Sequence, residues 1–332
     1  MPRTRREVLG GIGGTVALGT LAGCLSEPSG SDGQTQSGYA AFFALTDWTR
    51  QVAGEDYDFD SPVPTGEIGH GFSPEFDLQA TIAEGDVFVY LDTVEFQWAV
   101  DAADNLAAET DVALVNGMDG VPEGELLPWE GHDHDDHDDH DDHDDHDDHD
   151  HGEYDPHVWV DPVLAGGIVD AIADGLAEVY PDDEATFQEN AAAYREELDA
   201  VDEAFSTLVA EADHDVAVLT GHNSFQYLEA RYGFEIHSPA GVSPEREPSL
   251  SEIADTIDLI DERGIETILY DPFEPWTERH ADAIVEESVA TDVAPISPAE
   301  GTLEEWLSDD WGWAEQMTEL NLESLGKALG AN

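Results

Sequence analysis

The chain has 332 residues, with 78 Asp and Glu against 10 Lys and Arg, a formal net charge of −68. Such an acidic excess leaves no basic patch to meet phosphates, which excludes nucleic acid as a partner and electrostatic docking on an anionic membrane. It suits a solvated surface at molar salt, where a Debye length of about 3 Å screens self-repulsion, the composition of a halophilic proteome.

The amino terminus reads as an address. Arg5-Arg6 precedes a weakly apolar, Gly-rich run over residues 8–22, and Leu21-Ala22-Gly23-Cys24 closes it. The run is too short for a membrane-spanning helix, which needs about 20 apolar residues. It resembles a twin-arginine (Tat) signal peptide with a lipobox, which implies export by the Tat route and a lipid on Cys24. Residues 25–38, rich in Ser, Gly and Gln, read as a flexible tether. Cys24 is the only cysteine, so no internal disulfide is possible, and a metal site deeper in the chain must use imidazole and oxygen ligands.

In the body, residues 39–45 predict a strand, with Thr46-Asp47 capping a helix after it. Residues 86–91 and 112–115 predict two more strands with helical periods between them, the pattern of an α/β lobe with a largely parallel sheet. Residues 131–152 interrupt it: between two glycines every residue is His or Asp. That tract has no apolar surface to bury and is expected to be disordered without a ligand. Its histidines, His132, His134, His137, His140, His143, His146, His149 and His151, form a candidate auxiliary metal loop.

Residues 184–211 predict the clearest helix. Phe187, Ala191, Tyr194, Leu198, Val201, Phe205 and Leu208 step by four and three along one face. The second half repeats the first in texture: strands over residues 215–219 and 267–270, a helix over 250–263 with Gly264 as its stop, and helix from 303 to 329.

Six histidines lie outside the tract. His70, His157 and His222 fall in loops, and loops beyond the carboxyl ends of strands form the crevice of open α/β lobes. Three imidazoles converging there suit zinc. His214, His237 and His280 read as structural or surface residues.

The flanking sequences carry a resemblance. Asp155-Pro156-His157-Val158-Trp159-Val160-Asp161-Pro162, His222-Asn223-Ser224-Phe225-Gln226-Tyr227-Leu228, Gly241-Val242-Ser243-Pro244-Glu245 and the segment 321–329 are similar to the cluster A-I metal receptors of ABC importers, in their zinc, ZnuA-like branch. The resemblance implies two parallel-sheet α/β lobes joined by one long rigid helix, with the metal between the lobes. On that reading residues 1–24 are signal peptide, 25–38 tether, 39–180 the first lobe, 181–213 the linking helix and 214–332 the second lobe.

Carried over, the ligands are His70, His157 and His222. Gly69 stands where the family usually has proline, and Ser297 where many relatives have Asp. Glu300, a water or a tract histidine are candidates for the fourth ligand, and a missing carboxylate favours zinc over manganese. The implied function is a monomeric receptor, anchored by lipid at the outer face of the membrane, that passes Zn2+ to an ABC permease and ATPase. It is not an enzyme: the sequence has no His-Glu-x-x-His and no Ser nucleophile elbow. Two alternatives stand beside it, a receptor for manganese or another metal, and a metal-buffering or adhesive lipoprotein without a transporter.

Overall fold

The computed structural model describes residues 36–129, 154–242, 246 and 248–331. The first lobe begins with β1 (Gln36–Ala40), α1 (Phe43–Ala53) and β2 (Tyr57–Asp60). Then come α2 (Leu78–Ile82), β3 (Val87–Tyr90), α3 (Gln97–Glu109), β4 (Ala113–Asn116) and α4 (Pro162–Val179). The four strands form one parallel sheet in the order β2-β1-β3-β4. Parallel pairing buries both faces, and Val87, Phe88 and Val89 are fully buried.

The expected strand over 39–45 is corrected here. β1 ends at Ala40, starts three residues inside the segment read as tether, and gives way to α1 at Phe43. Thr46 lies inside that helix, its hydroxyl donating to the carbonyls of Phe42 and Ala40 (2.9 and 3.3 Å). Asp47 caps a different helix, accepting from the Trp313 N–H at 2.9 Å. A short apolar run fits a buried strand and a buried helix start equally well.

α5 (Glu184–Glu211) follows the predicted bounds. Its 28 residues make a rod of about 42 Å. The buried stripe is Phe187, Ala191, Tyr194, Leu198, Val201 and Phe205, laid against α4 and α1. The second lobe comprises β5 (Val216–Leu219), α6 (Gln226–Tyr232), β6 (Glu235–His237), α7 (Leu250–Arg263), β7 (Thr267–Tyr270), α8 (Pro275–Glu287) and β8 (Asp292–Pro295). Its sheet is again parallel, in the order β6-β5-β7-β8. Ser249 and Glu252 close a reciprocal capping box at the start of α7, and Gly264 ends it with a φ of 68°.

The expected helix over 303–329 is broken. It divides into α9 (Glu304–Ser308), α10 (Trp313–Glu315), a π-helical turn (Gln316–Asn321) and α11 (Leu322–Leu329). Asp310, at a φ of 59°, marks the break between α9 and α10.

One apolar core runs through both lobes, from Trp48, Phe88 and Trp159 through Phe187 and Phe205 to Leu219, Leu269 and Leu325. A smaller cluster of Val218, Ile260, Ile268 and Ile284 lies under α7 and α8. α4 presses unusually close to the turn after β4: a Cβ on Gly167 would lie 2.1 Å from the Gly120 carbonyl oxygen. Among the described residues no helix is long and apolar enough to cross a membrane.

Candidate metal centre

Five strand ends supply the site. His70 lies in the segment after β2, and His157 precedes α4 on the chain that leaves β4. His222 follows β5, Glu274 follows β7 and Glu300 follows β8. Each strand hands over to a loop at its carboxyl end, where parallel sheets open their crevice.

Local sequence fixes each loop. Gly69 packs against Phe96 and Phe42, and a Cβ there would come within 2.5 Å of the Phe96 ring. That contact leaves no room for a side chain at position 69. At the second loop, Asp161 caps α4 by accepting from the N–H groups of Val163 and Leu164 (2.8 and 3.3 Å), with Pro162 at the first helical position. Arg231 Nε donates to the other oxygen of Asp161 at 2.5 Å. At the third, Asn223 Oδ1 accepts from the Phe225 N–H at 3.0 Å.

The three predicted imidazoles come together. Ring centroids are 5.0 Å apart for His70 and His222, and 5.7 Å for His157 and His222. All three are buried. Two have carboxylate backing of the same kind. Glu300 Oε2 accepts from His70 Nδ1 at 2.7 Å and from the His70 backbone N–H at 3.1 Å. Asp155 Oδ1 accepts from His157 Nδ1 at 2.7 Å and from the His157 backbone N–H at 2.9 Å. With Nδ1 occupied, Nε2 is the nitrogen each ring offers. His222 Nε2 instead meets Ser224 Oγ at 2.8 Å, and its Nδ1 faces Glu274 Oε1 at 3.9 Å.

Several buried atoms have no hydrogen-bond partner among the described residues: His157 Nε2, His222 Nδ1, Glu274 Oε2 and Glu300 Oε1. Burying such atoms without partners is costly, so a cluster of nitrogen and carboxylate acceptors left in this condition matches the chemistry of a cation. The tightest set is His70, His222 and Glu274, whose donor atoms all lie within 4.8 Å of one another.

Charge follows the same division. Burial opposes a charged His70, but the Glu300 carboxylate outweighs it and raises the imidazole to about 9. Burial would raise Glu300, yet His70 beside it lowers the carboxyl to about 2. His157 is likewise raised, Asp155 overcoming burial. Burial, joined by the neighbouring His157 and His70, lowers His222 to about 3 and makes it a neutral donor. Burial raises Asp271 to about 8 and shifts Glu274 upward.

Ser297, expected opposite the family's Asp, is spent elsewhere. Its hydroxyl donates to Gln316 Oε1 at 2.6 Å and its N–H to Asn321 Oδ1 at 2.8 Å. Of the candidates for the fourth ligand, Glu300 reaches the site, joined by Glu274, so a carboxylate is not missing from it. Glu274 escaped the sequence reading because only β7, ending at Tyr270, places it in the crevice. His237 bonds Thr256 Oγ1 at 2.9 Å, His280 packs on Trp276, and the His214 N–H bonds the Leu329 carbonyl. Cys24 and the eight tract histidines lie outside the described residues.

Comparison with known proteins bears on the whole body. The chain is 31% identical over 268 residues to a zinc-binding lipoprotein, AdcA, of Streptococcus pneumoniae, covering 80% of this chain and 50% of that one. It thus spans about half the length of the streptococcal relatives it matches. It is 28% identical to the high-affinity zinc uptake system protein ZnuA of Bacillus subtilis, over 87% of this chain and 86% of that one. The fold superposes on the Zn(II)-bound ZnuA-like domain of S. pneumoniae AdcA with a TM-score of 0.70 at 26% identity, covering 89% of this chain and 99% of that one. It superposes on a laminin-binding protein of Streptococcus agalactiae, described as having adhesin and metal-transporting activity, with a TM-score of 0.72 at 25% identity, covering 89% and 100% of the two chains. The profile of one family, the zinc-uptake complex component A, periplasmic, matches residues 39–328, and the chain belongs to that family.

Proposed function

We propose that this protein is a solute-binding receptor that takes up a divalent transition metal, zinc first among them, and delivers it to an ABC permease and ATPase. The observation that carries the reading is the meeting of His70, His157 and His222 from three separate loops, with buried nitrogens that lack partners among the described residues. Zinc favours nitrogen donors in a closed four-coordinate shell. Glu300 Oε1 is available as an oxygen donor, and Asp155 and Glu300 hold His157 and His70 in the required orientation. The relatives are zinc-binding and zinc-uptake proteins, not enzymes.

The remaining parts of the reading rest on sequence. Residues 1–24 are a Tat-type lipoprotein signal, Cys24 carries the lipid, and 25–35 tether a monomeric body to the outer face of the membrane. Residues 39–180 and 214–332 act as the two lobes, with 181–213 as the rod between them. The tract histidines capture metal beside the cleft, with lower affinity because a loop imposes no fixed geometry.

Competitive titration of the protein lacking residues 131–152 tests the central claim. One tight zinc site, lost in His157→Ala and in His222→Ala, is the expected result. Manganese binding as tight as zinc overturns the choice of metal, and retention of the site in both variants overturns the ligand set. A second reading, adhesion, is favoured by the likeness to the laminin-binding relative. It predicts laminin binding that persists in both histidine variants.

A further inference from the structure

The loop that carries His157 is held from outside itself. Its own bonds, from Asp155 to His157 and from Asp161 to the start of α4, fix its local shape. They do not fix where it stands relative to the second lobe, and α6 does. Tyr227 donates from its hydroxyl to the Asp155 carbonyl at 2.7 Å and accepts from the Leu127 N–H at 3.3 Å. One helical turn further on, Arg231 Nε donates to Asp161 Oδ2 at 2.5 Å, and its terminal nitrogen reaches Glu125 Oε2 at 3.5 Å. Residues one turn apart share a face of a helix, so one face of α6 grips the chain on both sides of His157.

Burial gives these contacts weight. Tyr227, Asp155 and Asp161 are all buried. A buried carbonyl that loses its phenol, or a buried carboxylate that loses its guanidinium, is left unpaired at a cost larger than the bond itself. The same helix starts directly after the loop of His222. Asn223 in that loop donates from Nδ2 to Glu229 Oε2 on α6 at 2.7 Å. α6 therefore has His222 at its root and the His157 loop on its flank.

We infer that Tyr227 and Arg231 are positioning residues of the metal centre: they lock the His157 loop to the helix that follows His222, and so set the spacing of the two imidazoles before an ion arrives. Neither side chain touches the ion. A site whose donors are already placed spares the bound ion the cost of ordering them. Loosening the clamp leaves every donor present but lets the spacing of His157 and His222 vary.

This inference rests on the receptor reading, and the test separates the two. Tyr227→Phe and Arg231→Lys are compared in the full chain with Tyr232→Phe. Tyr232 lies on the same helix and donates from its hydroxyl to Asp202 on α5 at 2.9 Å, so its loss removes a like bond that does not reach the His157 loop. Competition titration of the tight zinc site, chelator-driven release and the visible spectrum with one equivalent of Co2+ are recorded, together with melting of the metal-free proteins. Tyr227→Phe is expected to weaken the tight site about tenfold, in the range for outer partners of metal-binding histidines, to speed release and to change the Co2+ spectrum. Arg231→Lys, which keeps the charge beside Asp161 but not the Nε contact, shifts all three the same way by less. Tyr232→Phe keeps wild-type binding even where its melting falls as far. Should Tyr227→Phe fail to fold, Arg231→Lys decides alone. Clamp variants that bind, release and absorb as Tyr232→Phe does overturn the inference and leave the receptor reading standing. Retention of the tight site in His157→Ala and His222→Ala removes the receptor reading itself.

Discussion

Glu300 and His70, 230 positions apart, are joined twice: one carboxylate oxygen receives both the imidazole Nδ1–H and the backbone N–H of His70. The pair spans the two lobes and fixes which ring nitrogen faces the crevice. In Glu300→Gln that control weakens. Zinc affinity falls about 10–100-fold, the range for outer partners of metal-binding histidines. The His70 imidazole of the metal-free protein, held at about 9 by Glu300, returns toward the ordinary histidine value. Isothermal titration and histidine NMR read the two effects separately.

Asp155 does the same for His157 from within one loop. Asp155→Ala removes both the ring partner and the backbone brace of His157. We expect a loss of zinc affinity of about 10–100-fold, with stoichiometry held at one tight site.

Asp271 gives a pH signature in the metal-free protein. Its carboxyl is raised to about 8 by burial, so the folded state keeps a proton that the unfolded chain has already released. The stability tied to that proton is complete below the unfolded pKa of about 3.9 and is lost as pH rises through about 8. Asp271→Asn keeps the acceptor for the Phe273 N–H and removes the titration. The variant should melt higher than wild type at pH 8, by about 2–4 °C for each kcal/mol recovered. The difference should close as the pH approaches 4.

Gly167 and Gly120 let α4 meet the turn after β4 backbone to backbone. Gly167→Ala forces the two apart and is expected to cost about 1–3 kcal/mol, as overpacking does. Zinc stoichiometry should survive, because Asp155, His157 and the cap at Asp161 lie outside the contact. A loss of stability below 0.5 kcal/mol, on the order of ordinary surface changes, would show that the contact relaxes freely.

Deletion of residues 131–152 should leave the body intact. Pro128 and Tyr154 form an antiparallel bridge, and the Asp155 N–H bonds the Leu127 carbonyl at 2.8 Å, so the roots of the tract are held side by side. A linker of about five residues closes the gap at little entropic cost. Melting of the metal-free protein and the tight zinc site should be unchanged, and only weaker additional binding should disappear.

Much of this was legible in the sequence. The stripe from Phe187 to Phe205 marked out α5, since a 3.6-residue period over about five turns has no competing reading. β7 and α7 were equally plain, bounded by Gly264 and Asp271. β2 (Tyr57–Asp60) was not, because its alternating acidic residues look like a loop until β1 pairs with it. β8 (Asp292–Pro295) hid behind a terminal proline that a strand tolerates only at its end. At the site, the histidines announced themselves through their flanking motifs. Glu300 stood among the candidates for the fourth ligand, but Glu274 did not: it is one among 78 acidic residues, and only the fold distinguishes it.

The shared core has a mechanical consequence. Trp159, beside His157, donates from its indole to the Pro298 carbonyl at 2.8 Å, and Trp313 donates to the Trp159 carbonyl at 3.0 Å. These buried tryptophans weld the loop of His157 to the loop of Glu300, inside apolar packing that continues along α5 into both lobes. Such a body cannot open like a pair of jaws without exposing its own interior. On the receptor reading, a bound ion leaves by movements of the rim of the crevice, while the frame behind stays still.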